Sequence, residues 1–144
     1  MRNSTDTSLL FVYGSLRQSM DNPMSKLLRR YSSSAGKAYI HGKLYDAGSF
    51  PAAVKSHRQG EKVYGELFRL SNPNSVFERL DEYEGYEPQN KARSLYLRKK
   101  TEVFGFDGEQ KGNAWAYLFN KSVGSLKPIP EGDYIQYLER KAEL

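Results

Sequence analysis

The sequence predicts an α+β domain built on a mostly antiparallel, curved β-sheet or barrel. Three observations predict it. Segments that read as strands outnumber those with helical period, and hairpin-like links join most of them. The order is strand, helix, several strands, helix, two strands, helix, which argues for an α+β arrangement. The chain has 144 residues, enough for one domain of ~100–200 residues. No linker divides it, so residues 1–144 form a single expected domain, with residues 1–7 expected to be flexible.

Leu9–Tyr13 is a short apolar run ending at Gly14, the pattern of a buried strand. Asn22-Pro23 supplies an N-cap followed by proline at the first helical position, so a short helix through Leu27, Leu28 and Tyr31 is expected. Gly36–Gly48, carrying Tyr39, Leu44 and Tyr45, reads as strand. Glu61–Leu70 alternates through Val63, Gly65 and Leu67, and then slips phase at Phe68, which predicts a β-bulge there. Asn72-Pro73 opens a second helix, with Ser75-x-x-Glu78 as a capping-box pattern and Gly85 at the C-terminal stop. Leu95–Phe106 and Ala114–Phe119 are two further strands around a turn at Gly105–Gly112. Asp133-x-x-Gln136 opens a last helix with Tyr134, Tyr137 and Leu138 on one face.

Composition narrows the chemistry. There is no cysteine, which excludes disulfides, thiolate zinc sites and thiol nucleophiles. The two histidines, His41 and His57, are too few for a three-histidine metal site and lie in no triad-like context. No metal site and no cofactor are therefore expected. The net charge is +5, but the basic residues are scattered, and their tightest groups are Arg29-Arg30 and Arg98-Lys99-Lys100. No RRM-type signature or paired Cys/His finger is present, so no nucleic-acid partner is expected. No run approaches the ~18 apolar residues of a membrane span. The polar start MRNSTDTS lacks a secretory apolar core, so the expected location is the cytoplasm. A monomer or weak homodimer is expected.

Four segments carry candidate chemistry. In Leu80–Tyr86, Asp81 and Glu82 fall off the helix's apolar stripe and read as solvated charges. Glu84 lies on that stripe with Phe77 and Leu80, so its carboxylate should point inward, at the helix end where the dipole disfavours it. Both effects raise a carboxyl pKa and make a candidate general base. The alternative is a Glu84 that bends out to pair with Arg79 or Arg93. In Tyr13-Gly14-Ser15-Leu16 a buried strand ends in a turn whose N–H groups could cradle a carboxylate or an oxyanion, unless it is a plain turn. Phe50-Pro51 either lines a narrow pocket or is a strand-edge turn. Among the tyrosines, Tyr117 and Tyr134 are candidates to orient a polar ligand.

Leu10–Arg17 (LFVYGSLR), Tyr45–Val54 (YDAGSFPAAV), Val63–Leu70 (VYGELFRL), Leu80–Pro88 (LDEYEGYEP) and Ala114–Phe119 (AWAYLF) together resemble the γ-glutamylcyclotransferase-like superfamily. The nearer branch is the short proteins similar to avirulence-induced plant proteins and γ-glutamylamine cyclotransferases. The resemblance implies a small β-barrel flanked by short helices, with a pocket at its open end and a γ-glutamyl small molecule as substrate. It implies that Tyr13, Gly14, Ser15 and Leu16 hold the γ-glutamyl group, and that Glu84 is the general acid/base. The larger glutathione-pathway members carry Asn where this chain has Leu16, which leaves the amine side of the substrate open. The implied reaction closes the substrate's α-amine onto its own γ-carbonyl, giving 5-oxoproline and a free amine. Such a ring closure needs no cofactor and no enzyme nucleophile. The same barrel without turnover would be a binding module for an anionic metabolite.

Overall fold

The first strand, β1 (Leu9–Val12), is buried along its whole length, as its unbroken apolar run requires. The computed structural model describes residues 8–17, 20–58 and 60–142, and residues 1–7, expected to be flexible, lie outside the described residues. β1 pairs antiparallel with β4 (Lys62–Leu70) on one side and parallel with β6 (Gln110–Phe119) on the other. β4 continues antiparallel to β2 (Ser32–Asp46), and β6 to β5 (Tyr96–Gly105). β2 and β5 then meet at Ala38↔Gly105 and Tyr39↔Phe104, closing a five-stranded barrel. Two short strands, β3 (Pro51–Lys55) and β7 (Lys127–Pro128), extend β2 beyond the ring.

Alternate residues of β1 divide the core. Leu9, Phe11 and Tyr13 face the barrel interior with Ile40, Val63, Leu67, Val103 and Leu118. Leu10 and Val12 face outward, under α1 (Pro23–Arg30) and α2 (Pro73–Glu84), against Leu28, Val76, Phe77 and Leu80. Burial of each such side chain is worth ~1.5–3 kcal/mol, so β1 is held from both sides and its end is a rigid place to build on. α3 (Tyr134–Ala142) packs Tyr134 and Tyr137 into the barrel cluster. No helix among the described residues is long and apolar enough to cross a membrane.

Two local expectations change. The phase slip at Phe68 is not a bulge in β4, whose register with β1 runs unbroken. Leu67 and Phe68 are both buried because one faces the barrel and the other the helices. The irregularity sits across from them on β2, between Ser34 and Gly36. The Ser75-x-x-Glu78 capping box does not form, because Pro73 at the first helical position puts the cap at Asn72, whose side chain makes no capping bond. The first helix does carry a capping box. The Asn22 Oδ1 accepts from Ser25 N at 2.9 Å, and Ser25 Oγ accepts from Asn22 N at 3.1 Å. Asp133 caps α3 as expected, its Oδ1 accepting from Ile135 N at 3.0 Å and Gln136 N at 3.2 Å.

Candidate functional site

The chain leaves β1 at Tyr13 and turns through Gly14–Arg17, where Arg17 N donates to Gly14 O at 3.0 Å. Asn22 Nδ2 holds the turn by donating to Ser15 O at 2.7 Å. The N–H groups of Ser15 and Leu16 donate to no group among the described residues. The turn forms one wall of a cavity of about 370 Å³. Phe50 and Pro51 line the same cavity, with Pro51 packed directly against the turn, so they are at once part of the β2–β3 hairpin and part of the pocket. Gly14 permits this closeness, since a Cβ there would lie 2.6 Å from Pro51 Cγ.

Glu84 enters the cavity from the last turn of α2. Gly85 ends the helix in the left-handed region, with φ 72°, and Tyr86 N donates back to Asp81 O at 2.9 Å. The helix face that buries Val76, Phe77 and Leu80 thereby aims Glu84 inward. The carboxylate forms no ion pair or hydrogen bond with any described residue, Arg79 and Arg93 included. Burial pushes its pKa from 4.5 up to about 7. It is the one charged side chain among the described residues that line the cavity.

Three phenols surround it. Tyr13, Tyr96 and Tyr117 all line the cavity, and each is pushed well above the ordinary phenol value, first by burial, with the Glu84 charge adding to it. Tyr13 OH donates to Tyr117 O at 2.5 Å, and Tyr96 OH to Pro51 O at 2.5 Å. Tyr117 OH donates to Asp81 Oδ1 at 2.6 Å. Asp81 is thus not the solvated charge expected of it. Arg98 arrives from β5 and donates Nε to Asp81 Oδ1 at 2.9 Å and Nη2 to Oδ2 at 3.1 Å. Tyr83 stands at the rim, 47% exposed, with its OH 3.1 Å from Ser15 Oγ.

The structure therefore brings together Tyr13, Gly14, Ser15, Leu16, Phe50, Pro51, Tyr117 and Glu84 around one cavity. Tyr134 is not among its lining residues, and stacks instead on Tyr137 within the barrel cluster. Tyr96, Tyr83, Leu95 and Ser49 line the cavity without having been singled out as site residues. Tyr96 opens β5 where burial does not alternate, so its place in the cavity, like that of the other three, depends on how the chain folds over the barrel end. Among the described residues, no group of three His, Cys, Asp or Glu side chains is placed to hold a metal.

A family model described as gamma-glutamyl cyclotransferase, AIG2-like, matches residues 10–136, which include the loop and Glu84. The chain belongs to that family. The gamma-glutamylcyclotransferase family protein YtfP of Escherichia coli K12 is 28% identical over 126 residues, covering 88% of this chain and 95% of its own. The solution structure of E. coli YtfP superposes with a TM-score of 0.60 at 27% identity, over 90% of this chain and 97% of that one. An AIG2-like protein from Mus musculus shares the fold, with a TM-score of 0.59 at 20% identity over 80% of this chain and 79% of that one.

In this gamma-glutamyl cyclotransferase family member the Gly14–Pro51 contact gives a direct test of the loop. Gly14→Ala would push the turn off the Pro51 wall, since the 2.6 Å approach is far inside van der Waals contact. Overpacking of this kind costs ~1–3 kcal/mol. A lower melting temperature together with a KM raised about tenfold (~1.4 kcal/mol) is expected if the loop binds substrate. An unchanged KM would remove the loop from the binding site.

Proposed function

We propose that this protein cyclises a γ-glutamyl amine or amide to 5-oxoproline and releases the free amine, with Glu84 as general acid/base. The observation that carries the reading is the unpaired, half-buried Glu84 carboxylate in a cavity that the Tyr13–Leu16 turn also lines. The substrate's α-ammonium has a reference pKa of ~8, and a carboxylate at about 7 can take its proton with little uphill cost. The freed amine then attacks the γ-carbonyl carbon, forming the ring C–N bond. The γ-oxygen carries the resulting negative charge, and the unpartnered N–H groups of Ser15 and Leu16 are donors available to bind either it or the α-carboxylate. Breaking the original C–N bond expels the amine, which takes the first proton from Glu84. The ring nitrogen then gives up its second proton through the same carboxylate, and the amine leaves as an ammonium with Glu84 ionised again. Every atom comes from the substrate and the proton count is conserved.

A panel of γ-glutamyl amines and γ-glutamyl peptides tests this, with 5-oxoproline as the measured product. Turnover of at least one member is expected, and kcat/KM should climb as pH rises through about 7, falling about tenfold per unit on the acid side. Silence across the whole panel would sink the assignment.

A further inference from the structure

Three of the phenols that line the cavity, Tyr13, Tyr96 and Tyr117, commit their protons to acceptors other than Glu84. Tyr13 and Tyr96 donate to backbone carbonyls, which can only accept, so the direction of both bonds is fixed. Tyr117 donates to Asp81, whose two oxygens are held by the Arg98 guanidinium and which is therefore the acceptor. Arg98 is itself fixed, its Cζ lying 4.2 Å from the Phe77 ring centroid and 4.7 Å from that of Trp115. None of these three protons is therefore directed to Glu84, and Tyr13 OH in addition accepts from Ala53 N at 3.4 Å. Three hydroxyls beside a carboxylate would ordinarily donate to it and stabilise its charge, and here none does.

We propose that Asp81, held by Arg98, is a positioning residue that keeps the Tyr117 proton out of the cavity, leaving a ring of acceptors around Glu84 that selects an ammonium group. This rests on the reading of Glu84 as the group facing the substrate amine. An acceptor-only ring suits a substrate that arrives as the α-ammonium and must hand over one proton. A phenol donating to Glu84 would instead compete with that ammonium and weaken the base. The ionisable groups facing Glu84 are Tyr13 just after β1, Tyr96 from β5 and Tyr117 from β6, with Tyr83 of its own helix at the rim.

The test is carboxyl NMR titration of Glu84, assigned through Glu84→Gln, in the wild type, Asp81→Asn, Tyr117→Phe and the double variant. In Asp81→Asn the amide that meets Arg98 is neutral, and Tyr117 is free to turn its proton to Glu84. The Glu84 pKa should then fall by about one pH unit. Tyr117→Phe alone should leave it where it is, and adding Tyr117→Phe to Asp81→Asn should restore it, which a merely structural role for Asp81 would not do. An unchanged pKa in Asp81→Asn overturns the proposal. So does a rise of about one unit in Tyr117→Phe, which would mean that Tyr117 had been donating to Glu84. If Asp81→Asn fails to fold, Tyr117→Phe decides alone, because it leaves the Asp81–Arg98 pair intact. The titration needs no turnover. The expected pattern without any 5-oxoproline formation would reject the proposed function and leave the proton arrangement standing.

Discussion

Glu84→Gln is expected to be nearly inactive and yet more stable than the wild type at pH 8. Removing a general base costs ~10²–10⁴ in rate, so a loss of about a thousandfold in kcat is expected on any substrate the wild type turns over. The stability gain has the same origin. The rise from 4.5 to about 7 is caused by burial, and at ~1.36 kcal/mol per unit it amounts to about 3 kcal/mol. The folded-state value lies above the unfolded one. The stability tied to the Glu84 proton is therefore fully present below pH about 4.5 and is lost as pH rises through about 7. Gln carries no such proton. Its advantage should appear at pH 8 as a melting temperature higher by roughly 6–10 °C for a chain of this size, and should vanish near pH 4.5. Full activity in Glu84→Gln would remove Glu84 from the chemistry. A Gln variant less stable than wild type at pH 8 would mean that the carboxylate is not desolvated.

The inward Glu84 was legible because it depends on helix period alone. Phe77, Leu80 and Glu84 share a stripe, and Gly85 stops the helix there, so burial of that stripe buries the carboxyl. The same holds for β1, whose uninterrupted apolar run can only be a strand covered on both faces. Asp81 was not legible. Its flank of α2 is polar by period, and it is taken out of solvent by Arg98, a residue 17 positions later in sequence that arrives from β5. A local pattern carries no information about which side chain of another element will reach it. Barrel closure by β2 and β5 is a long-range pairing of the same sort, fixed at Ala38↔Gly105 and Tyr39↔Phe104 by the curvature of the intervening strands. Tyr134, one of several phenols the sequence offers for orienting a ligand, is 7% exposed in the barrel cluster to which α3 carries it.

Arg17→Met is expected to be the most destabilising single change at the site. Arg17 is 6% exposed, and it donates Nε to Glu66 Oε2 at 3.2 Å and Nη1 to Asp133 Oδ1 at 2.9 Å. Methionine fills a similar volume but leaves both carboxylates, 15% and 16% exposed, without that cation. Breaking a buried pair from one side costs ~3–5 kcal/mol, because the remaining charge stays desolvated. A fall in melting temperature of roughly 8–15 °C follows at this chain length. The loss also reaches the site, since Arg17 ends the Gly14–Arg17 turn and its guanidinium ties that turn to Asp133, the cap of α3. Neutralising the two acids in Arg17→Met/Glu66→Gln/Asp133→Asn should recover most of the stability, because the penalty belongs to partly buried charges that have lost the Arg17 cation. It should not recover the KM, because the loop would still lack its anchor. Thermal unfolding and KM measured on the same three proteins separate these outcomes. A single variant within about 1 kcal/mol of wild type would mean that the ion triad contributes no more than an exposed salt bridge does.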